Sequence, residues 1–406
     1  MPDYYEFCSR VRLVAGHQAL EELPSILSRL GTTRPMVLTD QGVASVGLLD
    51  ILLHSLGDLT PGAVEDQVPP DSDLKRIQEL TQVHRSQNCD GLIALGGGSV
   101  LDTAKGINIL ISMGGNDLMV YTGANALTRP LSPLVAIPTT AGSGSEVTLA
   151  AVIADHEHHQ KLAFISPFLQ PHAAVLDSRM TQSLPPHITA ATGMDALAHA
   201  LEASYCLGHN PLSDAHAHAA IEGIRDHLVS VVKNPRDKDG RLAMAMAATL
   251  AGMAFSNSMV GMVHTLGHAV GGVCGIPHGT CMAVLLPHGM EYNMHKEPKR
   301  MANLLLPLAG SQCFSQTPRD QRPARAVEAV RELNQRLNQA TKGAHVLAFK
   351  DCKTPDGQAA ITEKDFPAIV SKALGDGSLI YNPEDMDEKD LLTVLEAAWE
   401  GVSIWK

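Results

Sequence analysis

Aromatic residues are scarce in this 406-residue chain: seven Phe, six Tyr and two Trp. So thin a supply argues against a surface that stacks nucleobases. Positive charge is in deficit too. Lys and Arg number 31 against 43 Asp and Glu, a net charge of −12, which disfavours nucleic-acid and anionic-membrane partners. No run approaches 18 uninterrupted apolar residues; the helix-like stretch 242–255 and Leu285–Leu286 are broken by Gly or polar neighbours, so no membrane span is expected. The cysteines at 8, 89, 206, 274, 281, 313 and 352 form no C-x-x-C pair, and an odd, unframed set suits a reducing compartment. The opening MPDYYEFCSR has neither an apolar h-region nor an Arg- and Ser-rich transit pattern. A cytoplasmic protein is the expectation.

What remains is a globular composition, 45% hydrophobic and 18% charged, long enough at about 150 residues per domain for two or three domains. In the first half, short apolar runs alternate with helical patterns. Strands are expected at 35–39, 91–95 and 134–137, and a hairpin over 152–155 and 161–165 with a solvated tip at His156, His158 and His159. Strand, helix, strand in this order implies a parallel sheet. After Pro185-Pro186 the pattern becomes helical, with stretches at 187–206, 211–232, 239–257, 260–272, 279–293, 297–309 and 322–340, and acidic helix starts near Thr362 and Asp387. The expectation is an α/β domain over 1–184 and an all-α domain over 185–406, with ligand at their junction.

Gly96-Gly97-Gly98-Ser99 follows a buried strand and opens a helix, which lets backbone N–H groups approach a phosphate. The third glycine of the dinucleotide fingerprint is absent, since position 101 is Leu. A second turn, Thr139-Thr140-Ala-Gly-Ser-Gly-Ser145, also follows a strand, and two such loops at neighbouring strand ends would suit a pyrophosphate. Asp40 ends the first strand; it would accept from a ribose diol and repel a 2′-phosphate, or simply cap a helix.

In the helical half, Asp195 and His199 are four apart, as are His264 and His268, and His278 sits in Ile-Pro-His-Gly. Four residues bring two side chains to within about 40° around a helix axis, and carboxylate and imidazole on one face are what a divalent first-row metal requires. His216 and His218 fall on different faces. Cys274 and Cys281 flank His278, but buried free cysteine is the commoner role.

These motifs together resemble one family. Gly91 to Lys105 is similar to the nucleotide-binding signature of the iron-containing (group III) alcohol dehydrogenases, and Ile137 to Thr148 to their second cofactor loop. Ala191–Glu202, Val263–Gly271 and Ile276–Gly279 resemble their metal-binding segments. The resemblance implies a Rossmann-like sheet followed by helices, in the fold shared with dehydroquinate synthases. It implies a divalent metal (iron in most members, zinc the alternative) held by Asp195, His199, His264 and His278, with His268 assisting proton transfer. Gly97, Gly98 and Ser99 would hold the pyrophosphate, with Asp102 nearby; Thr139, Thr140 and Lys161 would bind the rest of the dinucleotide; segment 178–182 would line its cleft; Asp40 favours NAD over NADP.

The implied reaction is hydride transfer between NAD(H) and a primary alcohol/aldehyde pair, the metal acting as Lewis acid on the substrate oxygen. Apolar residues such as Phe255 and 149–153 point to a short or medium substrate. The alternatives are a hydroxy-acid or diol dehydrogenase of this fold, a lyase of the dehydroquinate synthase type, or a non-catalytic nucleotide- or metal-binding protein. A homodimer or larger assembly is implied as well. One departure stands out: the family often has Pro-Asn-Pro after its second strand, where Val68-Pro69-Pro70-Asp71 puts a proline at the Asn position, so an amide contact to the nucleotide is lost or replaced.

Overall fold

A computed structural model of the chain describes residues 4–155, 157 and 160–404; the hairpin tip expected at His156, His158 and His159 lies outside the described residues. The chain forms two compact units. One comprises Cys8–Leu184 and Arg236–Gly252, the other Met1–Phe7, Pro185–Pro235 and Met253–Lys406. The sequence reading places all of 185–406 in one helical domain, whereas Arg236–Gly252 belongs to the unit that holds the sheet. The cause is local. A Cβ on Gly144 would lie 2.6 Å from the Gly252 Cα, and Thr249 donates to the Glu146 carboxylate at 2.7 Å, so this stretch of helix rests on the loop after a strand.

Among the described residues the α/β unit has nine strands: β1 (Arg12–Gly16), β2 (Pro35–Leu38), β3 (Ala63–Glu65), β4 (Gly91–Gly96), β5 (Gly123–Ala124), β6 (Leu134–Pro138), β7 (Ala150–Asp155), β8 (Gln160–Ile165) and β9 (Ala173–Asp177). Six form a sheet in the order β1-β9-β6-β4-β2-β3, with every pair parallel. The central strands are apolar without a break because both faces are covered. Met36, Leu38, Leu92, Ala94, Leu134 and Ala136 enter one core cluster; the alternating Val37, Ile93, Leu95, Val135 and Ile137 enter the other. β7 and β8 pair antiparallel, as the hairpin expectation has it, and β5 joins them in a small second sheet.

In the helical unit, Pro186–Tyr205 begins with proline in its first turn, where the missing N–H costs nothing. Pro211–Lys233 and His278–Asn293 pack against it, and His278–Asn293 also packs against Met262–Cys274. Pro298–Gln316 runs beyond the expected end near 309 because the chain kinks at Gly310 (φ 80°) and resumes as helix. No helix among the described residues is long and apolar enough to cross a membrane, and none of the seven cysteines is in a disulfide.

Burial has a measurable price here. It pushes the pKa of both His288 and His345 down to about 4, and His345 shares a 2.9 Å hydrogen bond with the Asn334 side chain. Between about pH 6.5 and 4 the unfolded chain therefore binds protons that the folded chain refuses, so stability falls as pH falls through that window, by roughly 1.4 kcal/mol per pH unit for each such ring. The melting temperature is expected to drop steadily from about pH 6.5 to about pH 4, and less steeply in His345→Gln. A flat profile would contradict this assignment.

Candidate metal centre and nucleotide-binding edge

Asp195 and His199 lie one turn apart on Pro186–Tyr205, His264 is in the first turn of Met262–Cys274, and His278 opens His278–Asn293. The helices converge because small residues let them. A Cβ on Gly279 would lie 2.6 Å from the Ala191 carbonyl oxygen, so only glycine there lets the His278 helix approach the Asp195 helix so closely. Around Asp195 Oδ1 stand His278 Nε2 at 3.3 Å, His199 Nδ1 at 3.8 Å and His264 Nε2 at 3.9 Å. The ligand atoms of Asp195, His199 and His264 all lie within 4.8 Å of one another.

Asp195 Oδ1, His199 Nδ1 and His264 Nε2 are buried and have no hydrogen-bond partner among the described residues. Buried polar atoms are ordinarily paired, and three lone pairs facing one point fit a divalent cation better than any protein donor. Their protonation agrees. Burial opposes charge on Asp195, but His199, His278 and His264 hold its carboxyl well below the usual range. Burial pushes His199 down to about 3 against the pull of Asp195, and drives His264 well below the ordinary histidine value. At neutral pH Asp195 is a carboxylate and His199 and His264 are neutral imidazoles, the forms a metal binds. Phe255 stacks on the His199 ring at 4.1 Å between centroids and His264 stacks on it at 4.4 Å, which fixes the His199 ring. His278 is the exposed member, 37% against 7% or less for the other three side chains.

Two further carboxylates hold histidines in place. Glu202, seven residues after Asp195 and fully buried, accepts from the backbone N–H of Val263 at 2.8 Å and of His264 at 3.3 Å, and meets His264 Nδ1. Burial pushes its pKa up, while the backbone donors work against that. Asp376 Oδ2 lies 2.8 Å from His268 Nδ1. Burial would raise its pKa, but His268 and Ser378 hold it down to about 2. Neither carboxylate is singled out by the sequence reading. Glu202 carries a signal, the i, i+4, i+7 spacing with Asp195 and His199; Asp376 carries none, being more than 100 residues from its partner.

The expected cofactor residues gather at one edge of the parallel sheet. β2, β4 and β6 are neighbours, and Asp40, Gly97-Gly98-Ser99 and Thr139-Thr140 follow their carboxyl ends, where open α/β sheets bind ligands. The Gly98–Met113 helix has no side-chain cap at Gly97, so its first N–H groups are available to an anion. The glycines serve clearance: a Cβ on Gly97 would come 3.3 Å from the Thr140 methyl, and one on Gly98 3.2 Å from Ser143. Asp40 caps Gln41–Ser45 through Oδ1, which accepts from Val43 N–H at 2.9 Å; no hydrogen bond from the described residues reaches its Oδ2.

Asp102 faces inward. Its two oxygens accept from Ser145 Oγ at 2.6 Å and Val152 N–H at 3.0 Å, so it braces the second loop from beneath. Lys105, wholly buried, donates to Thr148 Oγ1 and the Thr148 and Ala150 carbonyls, and burial lowers its pKa to about 8. Lys161 pairs with Asp71 at 3.1 Å, and the Asp71 N–H donates to Ser99 Oγ at 3.1 Å. The Pro70 departure thus lies in a turn that is tied to the glycine loop by its next residue. His216 meets the Leu212 carbonyl and stacks on Phe7, apart from any metal cluster among the described residues.

Known proteins place the chain in a family. A family model described as iron-containing alcohol dehydrogenase matches residues 11–178, and a second, the Fe-containing alcohol dehydrogenase family, C-terminal, matches residues 189–399. The chain is 33% identical over 388 residues to alcohol dehydrogenase 4 of Saccharomyces cerevisiae, covering 95% of this chain and 96% of that protein. It is 32% identical over 390 residues to the NAD-dependent methanol dehydrogenase of Bacillus methanolicus, covering 95% and 97%. The solved structure of an alcohol dehydrogenase from Oenococcus oeni superposes with a TM-score of 0.90 at 30% identity, covering 98% of this chain and all of that one. The chain is therefore an oxidoreductase of the iron-containing alcohol dehydrogenase family.

Proposed function

We propose that this protein transfers hydride between NAD(H) and a primary alcohol/aldehyde pair of short or medium length, using a divalent cation, Fe²⁺ in preference to Zn²⁺. The convergence of three unpartnered buried donor atoms beside His278 carries the reading. When bound, the cation supplies Lewis acidity at the alcohol oxygen and the nicotinamide supplies the hydride acceptor.

The chain's own residues do the rest. Asp195, His199, His264 and His278 hold the cation, and the exposed His278 side of the cluster is where substrate approaches. Phe255 keeps one flank apolar and dry. His268, oriented by Asp376 at Nδ1, presents Nε2 to receive the alcohol proton. In the α/β unit, the Gly98–Met113 N-terminus with Ser99 takes the pyrophosphate, and Thr139, Thr140 and Lys161 hold the remaining dinucleotide. Asp40 Oδ2 accepts from the ribose diol and repels a 2′-phosphate. Asp102 is assigned to shaping the loop rather than touching the cofactor. A cytoplasmic setting and a homodimer or larger assembly complete the reading, on the strength of the family resemblance, as does the absence of nucleic-acid and membrane partners.

Anaerobic reconstitution with Fe²⁺ or Zn²⁺, followed by NADH absorbance with a panel of primary alcohols, diols and hydroxy acids, tests the assignment. Nucleotide retention without turnover on any substrate would overturn it. Asp195→Ala is expected to abolish both metal retention and turnover; full activity in a metal-free variant would remove the mechanism. Asp40→Gly is expected to shift the NAD/NADP ratio of kcat/KM toward NADP by about 10-fold or more, at a fold cost of only a few tenths of a kcal/mol because glycine also caps helices. An unchanged ratio would leave Asp40 as a cap alone.

A further inference from the structure

Glu202 is fully buried, and its carboxyl group accepts from the backbone N–H groups of Val263 and His264, with the Gly261 N–H beside them, while the His264 ring meets it through Nδ1. Gly261, the residue that precedes Met262–Cys274, offers no side-chain cap, and Glu202 supplies from another helix the acceptor that the helix start lacks. Asn382 Oδ1 takes the neighbouring Met262 N–H at 3.3 Å. A helix cap alone would need only the backbone contacts. The contact to the ring is extra, and it falls on the nitrogen opposite the one that faces Asp195 Oδ1.

We propose that Glu202 is a positioning residue for the metal centre, which keeps the His264 proton on Nδ1 and so leaves the Nε2 lone pair free at the shared ligand point. This rests on the metal-binding reading above. The helix that carries Asp195 thereby also sets the tautomer of a ligand on a second helix, and one rigid element aligns two donors. An anion is required for the task. A glutamine of the same shape would turn its NH₂ toward donors or toward Nδ1; in the second case His264 would carry its proton on Nε2, aimed at the cation site.

The test compares Zn²⁺ affinity, by competition with a chromophoric chelator, in the full-length wild type, Asp195→Ala, Glu202→Gln and Glu202→Asp, alongside the melting temperature of each metal-free protein. Partners of this kind are worth about 10- to 100-fold in metal affinity. Glu202→Gln is expected to lose that much, and Glu202→Asp to recover part of it. Folded Glu202→Gln that binds Zn²⁺ within about threefold of wild type, while melting lower, would reduce Glu202 to a helix cap and overturn the proposal. Asp195→Ala separates the two readings: if it binds as tightly as wild type, the metal centre itself is wrong. Should Glu202→Gln fail to fold, the ¹⁵N shifts of labelled histidine in the wild type decide, since an Nε2-protonated His264 is incompatible with the proposal.

Discussion

Three donor atoms that have been taken out of water and given nothing to bond with dominate the helical unit. Leaving such groups unpaired costs on the order of 1–3 kcal/mol each, and here Asp195, His199 and His264 all bear that cost around one point. The surrounding chain is arranged to make it bearable. Gly279 lets two helices close to backbone contact with Ala191. Phe255 and His264 sandwich the His199 ring. Glu202 gathers the start of a third helix onto the first. Each of these would be poor design for a plain apolar core and each is sensible for a cage that waits for a cation.

The α/β unit solves a different problem, the display of backbone N–H groups and hydroxyls at one sheet edge. The loop after β6 has to sit close to the glycine turn, and it is held there from below rather than by its own sequence. Asp102 ties down Ser145 and Val152, while Lys105 ties down Thr148 and Ala150. Glu146 leans on Thr249. The signature run from Gly91 to Lys105 therefore carries two kinds of residue: glycines and Ser99 at the surface of the edge, and charged residues beneath it whose work is internal.

Much of this was legible in the residues. The i, i+4 pairs at 195/199 and 264/268 were readable as shared helix faces, because helical periodicity decides which side chains lie together, whereas only the family resemblance drew His278 into the same group. The strands at 35, 91 and 134 declared themselves as unbroken apolar runs. β1, β3 and β9 did not: β3 has three residues, β1 is half-exposed at the sheet's edge, and Ala173–Asp177 is too small-residue and short to announce itself. Likewise Gly310 looked like a helix end and is a kink. Asp376 was unreadable, since its meeting with His268 is made by the fold rather than by spacing. Asp102 was read as near the cofactor because it sits in the motif, while the direction its side chain takes depends on a loop 43 residues away.

The same division of labour has a consequence for reactivity. Lys105 lies beneath the glycine turn and Lys161 on β8, but Lys105 has no exposed surface whereas Lys161 keeps about a third of its side chain in solvent. An amine-directed reagent that reacts with free lysine will label Lys161 and pass over Lys105, even though burial has made the Lys105 amine the more readily deprotonated of ordinary lysines. Acetylation follows the same logic: the conspicuous lysine of the motif is chemically silent for as long as the fold is intact, and its labelling becomes a report that the sheet has opened.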